Sequence, residues 1–213
     1  FFKRMDSSGF AFLLTLKRHI RRNAIFLDAI DNKLNLPIGD ENSLPDDFME
    51  DEDANGMFDM GDDNQDSDDL IIPTDMKYYE QKAKKHYELL MQKNNVNWLN
   101  SKYFKRTLKQ NLKKDCQCII KMIQLCGQWK TKEDQKLNEL YKLVTETYPK
   151  DKIVLFTQYS DTAKYLCHQL RKKNVERIDI ATGDSKNTTT IVEHFSPVSN
   201  EKSYPADQQS RIL

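Results

Sequence analysis

The chain has no long apolar segment. Of its 213 residues 31% are charged, and the mean hydropathy is −0.78. No apolar run approaches the roughly 18 residues that a membrane-spanning helix needs. The chain also opens without an initiator methionine and without a basic-then-apolar leader, so nothing in it indicates export, and we interpret it as a piece of a longer protein. We predict a soluble, cytoplasmic protein that makes no membrane contact.

Residue patterns for catalysis or metal binding are scarce as well. The sequence has no G-x-x-x-x-G-K-[ST] phosphate loop and no G-x-S-x-G nucleophile elbow, and its four histidines are scattered. The cysteines do not form the two closely spaced pairs that structural zinc usually requires, which favours buried thiols in a reducing compartment. We expect no catalytic residue, no cofactor and no metal in this chain. The cysteines are Cys116, Cys118, Cys126 and Cys167.

Basic residues are absent from one long stretch. Residues 34–76 hold 15 Asp and Glu and no Lys or Arg, so 33 basic and 18 acidic residues remain elsewhere, a surplus of +15. Such a surplus suits a surface that faces phosphates, and an acidic loop can compete with nucleic acid for it. A solvated, disordered insert beside lysine-rich helices explains the same composition. Both interpretations stay open, and both predict a flexible acidic insert over residues 34–76.

The C-terminal third has the pattern of a parallel sheet. Ile153–Phe156 is an apolar run with β-branched members, which is typical of a strand that is buried on both faces. A second strand is predicted at Ile178–Ile180, and the segment between the strands has a helical apolar stripe. About twenty residues separate the strands, which is enough for a right-handed crossover. We predict a β-α-β-α unit in residues 150–213. The stripe consists of Ala163, Leu166, Cys167 and Leu170.

Helical periodicity dominates the rest of the chain, so the predicted fold class is α/β with an N-terminal all-helical region. In segment 1–33 a helix is predicted over residues 10–31, with Ser7 or Ser8 as its cap. Its basic run, Lys17–Arg22, indicates either a DNA contact or a solvated helix face. Segment 77–149 is predicted to be helical, and its aromatic stripe indicates core packing rather than a base-stacking surface. The stripes are Tyr79, Ala83, Tyr87 and Leu90, then Leu112, Cys116, Ile119, Ile120 and Ile123.

Three segments resemble one family of motor proteins. The start of the second RecA-like lobe of superfamily 2 helicases, above all the Swi/Snf-like DNA translocases, is similar to Lys152-Ile-Val-Leu-Phe-Thr-Gln-Tyr-Ser-Asp-Thr-Ala-Lys-Tyr-Leu. The next strand and helix of that lobe resemble Ile180-Ala-Thr-Gly-Asp and Ile191-Val-Glu-His-Phe-Ser-Pro-Val-Ser-Asn. The segment that joins the two lobes resembles Lys3-Arg-Met-Asp-Ser-Ser-Gly-Phe-Ala-Phe. The resemblance covers about residues 1–30 and 134–213.

The resemblance implies a fragment of an ATP-dependent DNA helicase or translocase with an incomplete RecA-like parallel sheet. ATP and Mg²⁺ are then expected for the full-length parent only. The phosphate loop belongs to the first RecA-like lobe, an expected partner, and the family's arginine finger comes after the last residue of this chain. DNA is the other expected partner, bound through its backbone phosphates. The implied nucleic-acid-binding residues are Thr157, Gln158, Gly183, Asp184, Ser185 and Lys186.

Structural roles explain some of these residues equally well. Gly183 can simply end a strand, and Ser185 can cap the helix that follows. The family also commonly has a basic residue a few positions after this glycine, whereas here Asn187-Thr-Thr-Thr is uncharged. A rival prediction from another class is a non-catalytic module whose helical region and acidic segment recruit a protein partner. The sequence leaves open the kind of nucleic acid and the oligomeric state.

Overall fold

The computed structural model describes residues 2–38, 69–93, 96–183 and 185–213. Most of the predicted acidic insert therefore lies outside the described residues, and so does Asp184. The chain forms two compact units. We call Phe1–Phe12 with Lys130–Leu213 the terminal unit and Leu13–Trp129 the central unit. These boundaries differ from those of the four predicted segments, which remain a prediction.

The N-terminal residues form two successive helices. α1 spans Phe2–Ser7 and α2 spans Gly9–Asp31. The hydroxyl of Ser8 accepts a hydrogen bond from the Ala11 amide at 3.5 Å, so one of the two serines predicted to cap this helix does so. The first residues of α2 belong to the terminal unit and the remainder to the central unit.

Two amphipathic helices supply much of the core of the central unit. α3 spans Met76–Met91 and α4 spans Thr107–Cys126. Every residue of the two predicted apolar stripes is buried, which confirms the helical periodicity and the core role of the aromatic stripe. His86 is buried with the stripe of α3 although the pattern did not include it. The side chain of Asp75 caps α3 by accepting a hydrogen bond from the Lys77 amide at 3.0 Å.

A short antiparallel sheet completes the central unit. β1 (Asn35–Ile38) pairs with β2 (Asn97–Asn100), with Leu36 opposite Leu99. The hydroxyl of Tyr87 on α3 donates a hydrogen bond to the Asn35 carbonyl at 2.8 Å, which fixes this strand to the helix. The prediction of a loop from the first residues of segment 34–76 is therefore wrong for β1. Tertiary pairing, rather than local composition, decides its conformation.

Among the described residues, the terminal unit contains α1, the start of α2 and three further α-helices. α5 spans Gln135–Lys142 and continues as one π-helical turn over Leu143–Thr147. α6 spans Ser160–Lys172 and α7 spans Thr188–Phe195. The helix predicted between the two strands is thus present as α6.

A buried carboxylate connects three of these helices. One oxygen of Asp134 accepts a hydrogen bond from the Leu137 amide at 3.1 Å and so caps α5. The other accepts a hydrogen bond from the hydroxyl of Tyr165 on α6 at 2.9 Å. The Tyr165 ring stacks on the ring of Phe10 in α2, with the centroids 4.4 Å apart and the planes 12° apart. All three side chains are buried, so the polar contacts are shielded from water.

The predicted α/β fold with an incomplete RecA-like parallel sheet is wrong. In the described residues, consecutive strand pairing occurs only between β1 and β2, which are antiparallel and lie in the central unit. The terminal unit has isolated parallel bridges from Ile212 to Ile153 and to Ile178. The two predicted strands are therefore not neighbours, because Ile212 lies between them. The described chain is mainly helical, and the predicted β-α-β-α unit is replaced by helices and extended single-bridge segments.

Solvent exposure explains why the apolar run Ile153–Phe156 does not behave as a buried strand. Val154 is 43% exposed and Phe156 is 94% exposed, so alternate side chains face water. The amides of Ile153 and Leu155 do donate hydrogen bonds to the carbonyls of Arg211 and Leu213, at 2.9 and 2.7 Å. A continuous apolar run indicates a central strand only where both faces are covered. Here one face is open.

We expect Asp134→Ala to destabilise the terminal unit by about 2–4 kcal/mol. A lost helix cap costs about 1 kcal/mol, and a buried tyrosine hydroxyl left without its acceptor costs a further 1–3 kcal/mol or so. Native-state hydrogen exchange of the α6 amides measures the change. Glu139→Gln is the control, because it removes an exposed ion pair with Lys142 on α5 and should leave exchange unchanged. Equal exchange in the two variants would contradict the role of the buried carboxylate.

The four cysteines should react in two classes. Cys116 and Cys167 are buried whereas Cys118 and Cys126 are exposed, and burial raises the pKa of both buried thiols. A raised pKa leaves less thiolate at a given pH, so the buried pair should react with a disulfide reagent at pH 8 roughly tenfold or more slowly than the exposed pair. Mass spectrometry identifies the labelled residues. In denaturant all four should react alike, and equal rates in the folded chain would contradict the burial pattern.

Candidate nucleic-acid interface

The first two predicted contact residues lie immediately before α6. Thr157 and Gln158 follow the extended run Ile153–Phe156, and both side chains are exposed. A hydroxyl and a side-chain amide are neutral groups that can donate hydrogen bonds to phosphate oxygens. Both groups are thus on the surface, as a phosphate contact requires.

The hydroxyl of Thr157 belongs to a small cluster of hydroxyl groups. Its oxygen lies 3.3 Å from the hydroxyl oxygen of Ser7, which itself lies 3.0 Å from that of Thr162 on α6. The Thr157 oxygen also accepts a hydrogen bond from the Tyr159 amide at 3.4 Å. The cluster holds the residue at position 157 between the end of α1 and the first turn of α6.

An ion pair adjoins this cluster. The guanidinium of Arg4 donates a hydrogen bond to the Asp161 carboxylate at 2.9 Å and lies 4.7 Å from the centre of the Tyr159 ring. The Asp161 side chain is 6% exposed and that of Arg4 is 24% exposed, so the pair is largely withdrawn from water. The Arg4 charge is therefore balanced within the fold. The ion pair joins α1 to α6 beside the hydroxyl cluster.

Three of the second group of predicted residues, Gly183, Ser185 and Lys186, lie at a turn before α7. The hydroxyl of Ser185 accepts a hydrogen bond from the Thr182 amide at 2.9 Å, and the Ser185 amide donates to the Thr182 carbonyl at 3.1 Å. Ser185 therefore does not cap α7. Capping was the structural role that the sequence offered for Ser185 as an alternative to a phosphate contact. Asn187 occupies the cap position and makes no side-chain cap hydrogen bond. Lys186 is exposed, and Asp184 lies outside the described residues.

The backbone at Gly183 is accessible from outside. A Cβ atom added to this residue would have nothing within 4 Å, and the backbone is not in the left-handed region that favours glycine. Neither local packing nor backbone conformation therefore requires glycine here. A glycine here leaves the main chain open to close approach by another molecule.

The structure keeps the two groups of predicted residues chemically separate. Thr157 makes its hydrogen bonds with Ser7 and Tyr159, whereas Ser185 makes its hydrogen bonds with Thr182, and in the described chain no hydrogen bond joins the groups. Both groups are in the terminal unit. The first presents neutral donors. The second combines the open backbone of Gly183 with the positive charge of Lys186.

The basic run Lys17–Arg22 lies on α2 in the central unit. Lys17, Arg18 and Arg21 are buried, so the run is not the solvated helix face that was one of its two predicted roles, and the DNA contact stays a prediction. Arg22 donates a hydrogen bond to Nδ1 of His19 at 2.9 Å. Burial and the neighbouring Arg22 guanidinium lower the pKa of His19, which keeps that ring neutral near pH 7.

Sequence reasoning missed Arg4 and Ser7 as parts of the candidate site. Each contacts a residue more than 150 positions away in the chain. No local periodicity reports such a pairing. The one available signal was that both residues lie in the N-terminal segment that resembles the helicase family.

The chain has no phosphate-binding glycine loop with its lysine, and the residues that the structure describes contain no group of three His, Cys, Asp or Glu side chains placed to hold a metal ion. We therefore derive no chemical step through a nucleotide or a metal. The groups present can bind an anion and position it.

The chain matches no protein-family model, no curated protein and no solved structure. The likeness to helicases accordingly depends on the three segments quoted above. None of the helices in the described ranges has both the length and the apolar character needed to cross a bilayer.

We expect Ser185→Ala to loosen the turn at residues 182–185. The Thr182 amide loses its acceptor, and a hydrogen bond worth about 1 kcal/mol corresponds to roughly fivefold faster amide exchange. Hydrogen exchange followed by NMR measures the rate at Thr182. Ser199→Ala is the control, because that hydroxyl accepts a hydrogen bond from the Ser196 hydroxyl and not from a backbone amide. Unchanged exchange at Thr182 in Ser185→Ala would show that the turn does not need the serine.

Proposed function

We propose that the chain binds the phosphate backbone of DNA through its terminal unit, as a non-catalytic part of an ATP-dependent helicase or translocase. The observation that carries this function is the open backbone of Gly183 next to the exposed Lys186. The resemblance of three segments to Swi/Snf-like translocases supports a helicase or translocase as the parent protein. Cytoplasmic location is part of the same proposal.

The two groups of polar residues would make different contacts with a nucleic-acid strand. Thr157 and Gln158 donate neutral hydrogen bonds to phosphate oxygens, held in place by the contact of Thr157 with Ser7. At the turn, a phosphate approaches the main chain at Gly183, and Lys186 supplies the positive charge. The proposed contacts are all with backbone phosphates, which carry no sequence information, so the binding would be independent of sequence.

The chain would hold the DNA while other parts of the parent carry out the chemistry. It lacks the phosphate loop that ATP hydrolysis needs. We therefore expect no ATPase activity from this chain alone. The first motor lobe of the parent would supply nucleotide binding, and this chain would contribute grip on the backbone.

A protein-binding role is the second candidate, and one observation favours it. Val154 and Phe156 expose apolar side chains directly before Thr157. Exposed aromatic groups of this kind are enriched in protein interfaces. Double substitution of Val154 and Phe156 by serine separates the two functions, because DNA binding should survive it whereas capture of a protein partner should not.

We expect Gly183→Ala to weaken DNA binding without destabilising the fold. The added methyl group meets nothing inside the protein but stands between the main chain and a phosphate. The loss should be roughly fivefold, the equivalent of one hydrogen bond of about 1 kcal/mol. Fluorescence anisotropy with a labelled duplex measures the affinity, and thermal unfolding measures the stability.

Gly127→Ala is the matched control. Gly127 ends α4 with φ +73°, a conformation that alanine adopts with strain. It should therefore lower stability and leave DNA affinity unchanged, the reverse of the result at Gly183. Equal DNA affinity of wild type and Gly183→Ala would contradict a phosphate contact at the turn before α7. Absence of binding by the intact parent to any nucleic acid would overturn the function itself.

A further inference from the structure

The central unit has an exposed helix face on which all the charged residues are basic. The helix α4 buries one apolar stripe and turns its other side to solvent. On that side, positions that recur every three or four residues lie within an arc of about 100°. We call this set the α4 basic face. It consists of Arg106, Gln110, Lys113, Lys114, Gln117 and Lys121, all exposed.

Among the described residues, no ion pair involves the cations of the α4 basic face. The one ion pair that α4 forms there joins Lys109 to Asp31, and Lys109 lies outside the face. The one carboxylate of α4, Asp115, follows Lys114 by a single position and so points away from the centre of the face. The face therefore has four positive charges and no negative charge.

Helix stability does not explain this arrangement. Surface helices gain stability from opposite charges three or four residues apart, and unmatched charges of one sign repel each other. α3 shows the ordinary mixture, because Lys77 and Lys84 alternate with Glu80 and Glu88. A ligand of opposite charge is the simplest physical reason for a face that omits acidic residues.

The chemistry of the face fits a sugar-phosphate backbone better than an acidic protein. A protein interface is centred on buried apolar or aromatic anchors, and the α4 basic face contains none. The exposed apolar residues of α4, Met122 and Leu125, come after its last cation. Phosphate binding needs only cations and neutral donors, which the lysines and the interleaved glutamine amides of the face provide.

The dimensions also suit a nucleic-acid strand. From Arg106 to Lys121 the helix rises by about 22 Å, which matches about six phosphates at 3.4 Å of axis per phosphate in one strand of a duplex. Just before the helix, Tyr103 is 67% exposed and the ammonium of Lys102 lies 5.0 Å from its ring centre. This end of the surface thus combines positive charge with an aromatic ring on which a base can stack.

We propose that the α4 basic face is a second nucleic-acid contact, which binds backbone phosphates without reading sequence. It shares its ligand class with the function proposed above. It depends on different residues in a different unit.

The test compares two double variants of the full chain that remove the same charge from two helices of the central unit. Lys113→Gln with Lys121→Gln removes two cations of the α4 basic face, and Lys77→Gln with Lys84→Gln removes two exposed cations of α3. Glutamine keeps helix propensity close to that of lysine. Circular dichroism and thermal unfolding verify that both variants fold. Affinity is measured by anisotropy over a series of salt concentrations, with labelled duplexes of two unrelated sequences and with a single strand.

We expect the α4 variant to bind both duplexes roughly tenfold more weakly at low salt and to lower the slope of log affinity against log salt by about two, because two phosphate contacts are lost. The α3 variant should change neither the affinity nor the salt slope by a comparable amount. A larger loss for the single strand than for the duplexes would assign the face to unpaired nucleic acid, still within the proposal. Equal slopes of log affinity against log salt in the α3 and α4 variants would overturn the proposed contact of the α4 basic face.

Two further arms separate this inference from neighbouring explanations. Polyglutamate as a competing ligand tests for an acidic protein partner: if the α4 variant loses polyglutamate binding and keeps DNA binding, the nucleic-acid contact is overturned. Lys186→Gln tests the terminal unit alone. Weaker binding in the α4 variant with normal binding in Lys186→Gln and Gly183→Ala supports the α4 basic face and contradicts the turn. The reverse pattern overturns the α4 basic face and supports the turn.

Discussion

The geometry of the terminal unit depends on the buried carboxylate of Asp134. It caps α5 through the Leu137 amide and accepts the hydroxyl of Tyr165 on α6, whose ring stacks on Phe10. A buried acceptor with two satisfied hydrogen bonds is stable only while both donors stay in place. Three helices that are distant in the sequence are therefore held in one arrangement. This arrangement also positions the candidate site. Phe10 comes shortly after α1 in the chain, and Tyr165 lies on α6, the helix that the exposed residues Thr157 and Gln158 precede.

The charges of the chain are distributed in a way that its composition does not reveal. Outside the acidic stretch the sequence has a surplus of fifteen positive charges, yet several of the cations most suggestive of DNA binding are buried in α2. Arg4 is balanced by Asp161. The cations that face water include Lys186 at the turn and those of the α4 basic face. Burial and pairing, rather than number, decide which cations can meet a phosphate.

Local patterns in the sequence predicted the helices well because helical periodicity is local. The buried stripes of α3 and α4 match the predicted residues, since an apolar residue every three or four positions needs one partner surface only. The strand prediction failed for the opposite reason. Whether Ile153–Phe156 is a central strand depends on what covers both of its faces, and Phe156 is almost fully exposed. β1 escaped prediction because its partner β2 lies some sixty residues away.

The candidate site was predictable in part. An exposed pair before a helix and a glycine turn were found by their resemblance to a helicase family, but the contacts that position them were not. Ser7 lies beside Thr157 only through the folding of distant segments. Ser185 could have capped the next helix, and instead its hydroxyl accepts a hydrogen bond from the Thr182 amide three residues back. Local side-chain to backbone bonds of this kind compete with helix caps, and sequence alone does not decide between them.

The central claim is that DNA meets the terminal unit at the residues before α6 and at the turn before α7. Amide chemical-shift mapping of the ¹⁵N-labelled chain during titration with a short duplex tests it most directly. We predict salt-sensitive shifts at Thr157, Gln158, Gly183, Ser185 and Lys186, with few changes along α5. Shifts that are absent from both places, or that centre on Val154 and Phe156 when a protein partner is added and not when DNA is added, would contradict it.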